Sequence, residues 1–186
     1  MTDHQPDVAS IIASRRTSLR MDPDMAVDAP IVMNLCRLAT WAPNHHHTNP
    51  WRFAAFTGDG RRTLGDTIAA QMAADGVKPE RVAKTRLKYT RAPLMLLVGS
   101  AAGGDATTTT ENRDAVAAGI QNILLGATGE GLASFWSSVA TPTAPALLHL
   151  CGFEPDTVVV AAIYLGHPIG TVPPPSRNSP TITWVG

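Results

Sequence analysis

At 186 residues, with 44% hydrophobic and 16% charged side chains, the chain has enough apolar material for a packed core and too much for a disordered polymer. Fifteen basic and fifteen acidic residues cancel, which excludes a protein-wide field of the kind that attracts nucleic acid or an anionic membrane. No apolar run reaches the roughly 20 residues that a membrane-spanning helix needs, so no membrane partner is expected. Met1 to Asp7 is acidic and lacks the basic-then-apolar order of a signal peptide. Cys36 and Cys151 are far apart, with neither metal-ligand nor redox spacing. These features lead to the expectation of a cytoplasmic protein with reduced thiols.

In chain order, residues 7 to 14 read as a helix with Val8, Ile11 and Ile12 on one side. Arg15-Arg16-Thr17-Ser18-Leu19-Arg20 follows. Its guanidinium forks and hydroxyls suit a phosphate, although a solvated basic helix end would look the same. Asp28 is placed as an N-cap and Pro30 lies in the first turn, so a second helix should run to about Trp41 with Ile31, Leu35, Leu38 and Ala39 inward. Trp41 at its end suits either the core or the border of a site.

Ala42 to Phe53 then forms a polar ledge between Pro43 and Pro50, rigid enough to hold a planar ligand. Its run of histidines, His45 to His47, raises the question of a metal. Successive side chains in a loop or strand point in different directions, and no cysteine or carboxylate is near in sequence, so no metal is expected there. Hydrogen bonding from one imidazole to a ligand is the better use.

Trp51 to Thr57 reads as a strand, Gly58 to Gly60 as a turn, and Arg61 to Ala74 as a helix that breaks at Gly76. Another helix runs from Pro79 to about Tyr89. With its flanks it carries Lys78, Arg81, Lys84, Arg86, Lys88 and Arg91, without the aromatic interleaving of a nucleic-acid surface. A solvated face near a cofactor entrance fits it better.

Pro93 to Ser100 is continuously apolar, as a strand buried on both faces would be. Ala101 to Thr110 reads as a loop, and Thr108 to Glu111 as a capping box that starts a helix from about Glu111 to Thr128. Val116, Ile120, Ile123, Leu124 and Ala127 should be its buried residues. Gly126-Ala127-Thr128-Gly129-Glu130-Gly131 is not G-x-G-x-x-G, and it ends a helix instead of opening one, so a dinucleotide-binding βαβ reading fails. A strand from Ala133 to Ser138, a short helix from Pro142 to Leu150 and a central strand from Val158 to Leu165 complete the regular structure. From Gly166 five prolines make an extended arm. The chain contains no repeat or linker, so residues 1–186 are expected to form one domain.

Three of these stretches, in this order, resemble the nitroreductase family: Arg15-Arg16-Thr17, the ledge from Pro43 to Trp51, and the glycine-rich segment from Gly126 into the strand ending at Ser138. The short chain and Ala42-Pro43-Asn44-His45 are similar to the family's minimal branch. The resemblance implies an α+β fold: a mostly antiparallel central sheet flanked by helices, with an extended C-terminal arm in an intertwined homodimer.

It also implies FMN as cofactor and NAD(P)H as co-substrate. Hydride would pass by a ping-pong mechanism to small nitroaromatic or quinone-type substrates, with no side chain acting as a catalytic nucleophile. By position, Arg15, Arg16 and Thr17 would hold the phosphate, ribityl chain or ring edge. Trp41 and His45 would come from the other subunit, and Trp136, Ser137 and Ser138 would line the ring. Gly126, Ala127, Thr128, Gly129, Glu130 and Gly131 match a segment assigned to NAD(P)H contact. Trp41 stands where the family has a basic residue, Thr17 replaces Ser, His47 replaces Asn and Asn49 replaces Gln. Arg177 carries a charge that would suit the phosphate, but the proline-rich tail aligns poorly with the family and Arg177 is not counted among the expected contacts. The alternative is a flavin-sequestering protein of the same fold with little reductase activity.

Overall fold

A computed structural model describes residues 7–186. Six helices and four strands follow in the order α1 (Val8–Ser14), α2 (Ala29–Ala39), β1 (Trp51–Thr57), α3 (Gly60–Ala74), α4 (Pro79–Lys88), β2 (Leu94–Ser100), α5 (Ala106–Gly129), β3 (Ala133–Ser137), α6 (Pro145–Cys151) and β4 (Val158–Gly166). The sheet order is β1-β2-β4-β3, and every neighbouring pair is antiparallel. The expected α+β class, antiparallel sheet and extended arm all describe this architecture. No helix among the described residues is long and apolar enough to cross a membrane.

β2 is buried along its whole length because apolar cores lie on both faces of the sheet. Leu94, Leu96 and Val98 point into a cluster with α2 and α5, while Met95 and Leu97 point into a second with α3 and α6. Alternating strand side chains supply both layers, so a continuous apolar run serves an antiparallel strand as well as a parallel one. A register shift at Val98/Gly99 leaves Val160 as the extra residue on β4, between Val159 and Ala161.

α5 packs against the α2 layer with Val116, Ile120, Ile123, Leu124 and Ala127 buried, as expected from their spacing. Gly119 and Gly126 allow the approach. A Cβ on Gly119 would come within 2.7 Å of the Ala39 carbonyl and of Trp51 Nε1, and one on Gly126 within 2.8 Å of the Leu35 and Leu38 methyl groups.

Three boundaries differ from the sequence expectation by two residues or more. α5 begins at Ala106, not Glu111, because the Asp105 carboxylate accepts from the Thr108 amide (2.8 Å) and hydroxyl (3.1 Å); this cap replaces the capping box. α6 begins at Pro145, not Pro142, because the Pro142 carbonyl accepts from the Val159 amide at the start of β4. α2 ends at Ala39, and Trp41 lies in the turn beyond it with 80% of its surface exposed.

After β4 the chain runs without helix or strand to Gly186. Its first part pairs with the segment after α1: Asp22 donates to the His167 carbonyl and Ile169 to the Arg20 carbonyl, both at 2.9 Å. Further on, Ile182, Trp184 and Val185 are exposed, Trp184 by 87%.

Candidate functional site

The arginine segment is fixed by the sheet. Ser18 donates its amide to the Ser134 carbonyl at 2.9 Å, and Thr17 forms an isolated parallel bridge with Ser134, so the segment runs beside β3. Arg15 donates to the Thr17 hydroxyl at 3.3 Å. Arg15 and Arg16 line a cavity of about 420 Å³ together with Gln121, Pro174, Pro175 and Arg177. The arm therefore brings Arg177 to the arginine pair, a juxtaposition of residues more than 150 positions apart. Three guanidinium groups around one opening make a strong anion cradle.

Arg16 also lines a smaller cavity of about 200 Å³ with Ser18, Thr128 and Gly131. Its Nε is buried without a hydrogen-bond partner, and so is the Ser134 hydroxyl. Buried polar atoms without a partner are rare. Tyr89 Oη and Thr141 Oγ1 are two more, and of the four it is Arg16 Nε that belongs to a residue lining this cavity, where its N–H is free to donate.

β3 leads from this cradle to Trp136, Ser137 and Ser138. Trp136 is 38% exposed, an apolar surface for a planar group. Lys88, in the last turn of α4, reaches Ser137 Oγ at 3.4 Å and lies 4.9 Å from the centre of the Tyr89 ring. Burial, and then the neighbouring Arg91 charge, lower its pKa from the ordinary lysine value. Sequence reasoning counted Lys88 among the solvated residues of a basic helix. Its signal was its place in the final turn just before the buried strand, which brings that turn beside the sheet.

Of the glycine-rich segment, Ala127 is fully buried in the core and Gly126 faces Leu35 and Leu38. Gly129, Glu130 and Gly131 are exposed, with Gly131 at φ +72° in the turn that closes α5. Gly126, Gly129 and Glu130 line an apolar cavity of about 480 Å³ with Val8, Ile11, Leu38 and Trp41.

The ledge is a compact knot held by two asparagines. Asn44 donates to the Thr48 hydroxyl at 2.9 Å and accepts from the Asn49 amide at 2.8 Å. Thr48 in turn donates to the buried Asn112, which donates to the Ala101 carbonyl at 3.2 Å. His45 to His47 form a 3₁₀ turn in which His46 (φ +57°) and His47 (φ +52°) are left-handed, as is Asn49 (φ +51°). His45 Nδ1 lies 2.9 Å from Glu111 Oε2 in the second turn of α5. The capping-box reading assigned Glu111 to its own helix start, whereas Asp105 takes that role and leaves Glu111 for His45.

One chain thus gathers Arg15, Arg16, Thr17, Arg177, Lys88, Trp136 and Ser137 around the region beside β3. It does not bring His45 to them: Glu111 and Gln121 are ten residues apart on α5, about 15 Å along its axis.

The nitroreductase family model matches residues 12–167. YdjA of Escherichia coli K12, by name a candidate NAD(P)H nitroreductase, is 23% identical over 163 residues, covering 87% of this chain and 88% of YdjA. A nitroreductase-like family protein from Bacillus cereus superposes with a TM-score of 0.78 at 25% identity, covering 96% of this chain and 94% of that one. A candidate nitroreductase from Desulfovibrio desulfuricans, solved in complex with FMN, gives a TM-score of 0.69 at 26% identity, covering 94% and 92%. The chain belongs to the nitroreductase family.

Proposed function

We propose that this member of the nitroreductase family is an FMN-dependent NAD(P)H oxidoreductase that reduces nitroaromatic or quinone-type acceptors by a ping-pong mechanism and works as a homodimer in the cytoplasm. The observation that carries the reading is the cradle of Arg15, Arg16 and Arg177, continuous through Thr17 and Ser134 with the strand bearing Trp136 and Ser137. Its dimensions and chemistry suit a phosphate at one end and a flat polar ring at the other. When bound, FMN would supply the alternate acceptance and donation of hydride.

The chain's own residues would do the holding. The three guanidinium groups would bind the phosphate by charge-assisted hydrogen bonds, with Arg16 Nε gaining the partner it lacks. Thr17 would add a neutral hydroxyl. Trp136 would cover one side of the ring. Lys88, Ser137 and Ser138 would place donors along its polar edge, where negative charge collects on reduction.

The split of the site residues supports two chains. His45 lies away from the cradle and Trp41 lines a separate cavity, and that apolar cavity together with exposed Ile182, Trp184 and Val185 offers both halves of an exchange between copies. In such a dimer, His45 and Trp41 of one chain would close the flavin site of the other, and Gly129 to Gly131 would border the nicotinamide entrance.

The test is the visible spectrum of the purified protein under anaerobic NADPH or NADH, followed by addition of a quinone. Two flavin bands that bleach and then return are expected. Bands that do not bleach would turn the reading toward a flavin-sequestering protein, and no bands even with added FMN would overturn it.

A further inference from the structure

The ledge carries a second arrangement that shares only His45 with the flavin reading. His45 Nδ1 and Glu111 Oε2 are 2.9 Å apart, and the rings of His45 and His46 stack with centroids 3.8 Å apart and planes 27° from parallel. One ligand atom from each of His45, His46 and Glu111 lies within 4.8 Å of the other two. A tetrahedral ion with bonds of about 2.0–2.1 Å separates its ligand atoms by roughly 3.3 Å, so the set closes when side-chain rotation unstacks the two imidazoles and turns their ring planes toward one point.

Sequence alone argued against this convergence, on two grounds that the fold reverses. Successive side chains diverge in ordinary extended backbone. His46, however, has φ +57° and ψ +9°, a left-handed conformation that brings its ring over that of His45. No carboxylate lies nearby in sequence, yet α5 delivers Glu111 from 66 positions away. A non-glycine residue at positive φ costs energy, and three of them in the span from His46 to Asn49 signal a segment shaped for something besides its own stability. The asparagine knot holds that shape from below.

We propose that His45, His46 and Glu111 form a binding site for a borderline divalent transition-metal ion such as Zn²⁺, with water filling the remaining position. Two imidazole nitrogens and one carboxylate oxygen are the ligand types such an ion takes. The imidazoles are exposed and Glu111 is part-exposed, so the ion has an open path in, and Asp105 lies within electrostatic reach of His46, adding negative charge beside the site. An ion there would clip the ledge to the N-terminal turns of α5. His47 is outside the group. The site shares His45 with the proposed flavin contacts, whereas His46 and Glu111 belong to the metal site alone, so the variants that test it leave those contacts in place.

The experiment is Zn²⁺ titration of the purified, metal-stripped protein by calorimetry, alongside His46→Ala, Glu111→Gln and His47→Ala. Wild type should bind one Zn²⁺ per chain. His46→Ala and Glu111→Gln should each weaken binding about tenfold or more, a loss of at least one ligand's worth on the logarithmic affinity scale, while His47→Ala should bind as wild type. X-ray absorption of the zinc complex should show nitrogen and oxygen neighbours including two imidazoles. The proposal is overturned if wild type shows no saturable binding, if His46→Ala and Glu111→Gln both bind like wild type, or if the metal shell contains sulfur. Glu111→Gln keeps the shape of an exposed side chain, so its folded state, verified by circular dichroism, secures the comparison should His46→Ala perturb the turn.

Discussion

The Lys88 ammonium lies 3.4 Å from the Ser137 hydroxyl, joining the end of α4 to the strand that carries Trp136. The contact holds a half-buried cation at the edge of the candidate site, where burial disfavours its charge. Lys88→Met should separate binding from stability. Flavin affinity should fall about 10- to 100-fold, the effect of losing one hydrogen bond from a charged donor. Stability to urea should hold or rise, since a desolvated charge is removed. Because the folded pKa is lowered, the unfolded chain binds the extra proton between that value and the ordinary one, so Lys88 contributes stability that grows as pH rises through this window. Flavin titration and urea midpoints on the same samples check both halves, and an unchanged flavin affinity would remove Lys88 from the site.

Arg177 reaches the cradle only because the arm folds back over α1. Arg177→Gln should weaken FMN binding about 10- to 100-fold while leaving riboflavin, which lacks the phosphate, nearly unaffected. Quenching of flavin fluorescence measures both. Equal losses for the two flavins would mean that Arg177 supports the fold of the arm and not the phosphate.

Gly119 and Gly126 should respond differently to the same methyl group. At Gly119 the new Cβ meets a backbone carbonyl, Ala39 O, and the indole nitrogen of Trp51, itself engaged with the Ala115 carbonyl at 3.3 Å. Backbone cannot yield cheaply, so Gly119→Ala should cost about 1–3 kcal/mol. At Gly126 only leucine methyl ends stand in the way, and the gain of about 1 kcal/mol in helix propensity offsets their movement, making Gly126→Ala near neutral. Thermal unfolding should show a drop of several degrees for the first, given roughly 2–4 °C per kcal/mol at this size, and little change for the second.

Alkaline pH should destabilise the fold. Burial raises the Cys36 thiol to about 11 and the Cys151 thiol to about 12. Tyr164 is likewise held up at about 12 by burial, against an opposing effect of Arg91, and Tyr89 is shifted upward by burial and by Tyr164. In each case the folded pKa exceeds the unfolded one, so the folded chain keeps a proton that the unfolded chain releases. The associated stability is full below the unfolded values of 9.0 and 10.0 and is lost as pH climbs toward about 12. Lys88 acts in the opposite direction, but four groups outnumber one. Urea midpoints should be level from pH 7 to 8.5 and fall by pH 10.5, and both thiols should react slowly with alkylating reagents at pH 8. A midpoint that holds to pH 10.5 would contradict the burial of these groups.

The elements themselves were readable because each has a local cause. The β2 run is apolar at every position because cores lie on both its faces, and α5 shows its inward stripe through Val116, Ile120, Ile123 and Leu124. Boundaries failed for two reasons. At α5 a rival local cap, Asp105, acted ahead of the expected box, and at α6 a distant partner, Val159, claimed the Pro142 carbonyl that a helix start would have left free.

The sequence by itself determined the order of the elements, since periodicity, prolines and side-chain chemistry are properties of short stretches, and its resemblance to the nitroreductase family carried the α+β class. Tertiary structure alone decided which distant residues became neighbours. It brought Arg177 to Arg15 and Arg16, Lys88 to Ser137, and Glu111 to His45. It also converged two successive histidines through a left-handed backbone that no spacing rule anticipates. Those contacts depend on how the sheet, α5 and the arm fix one another in space, and local propensity carries no record of that.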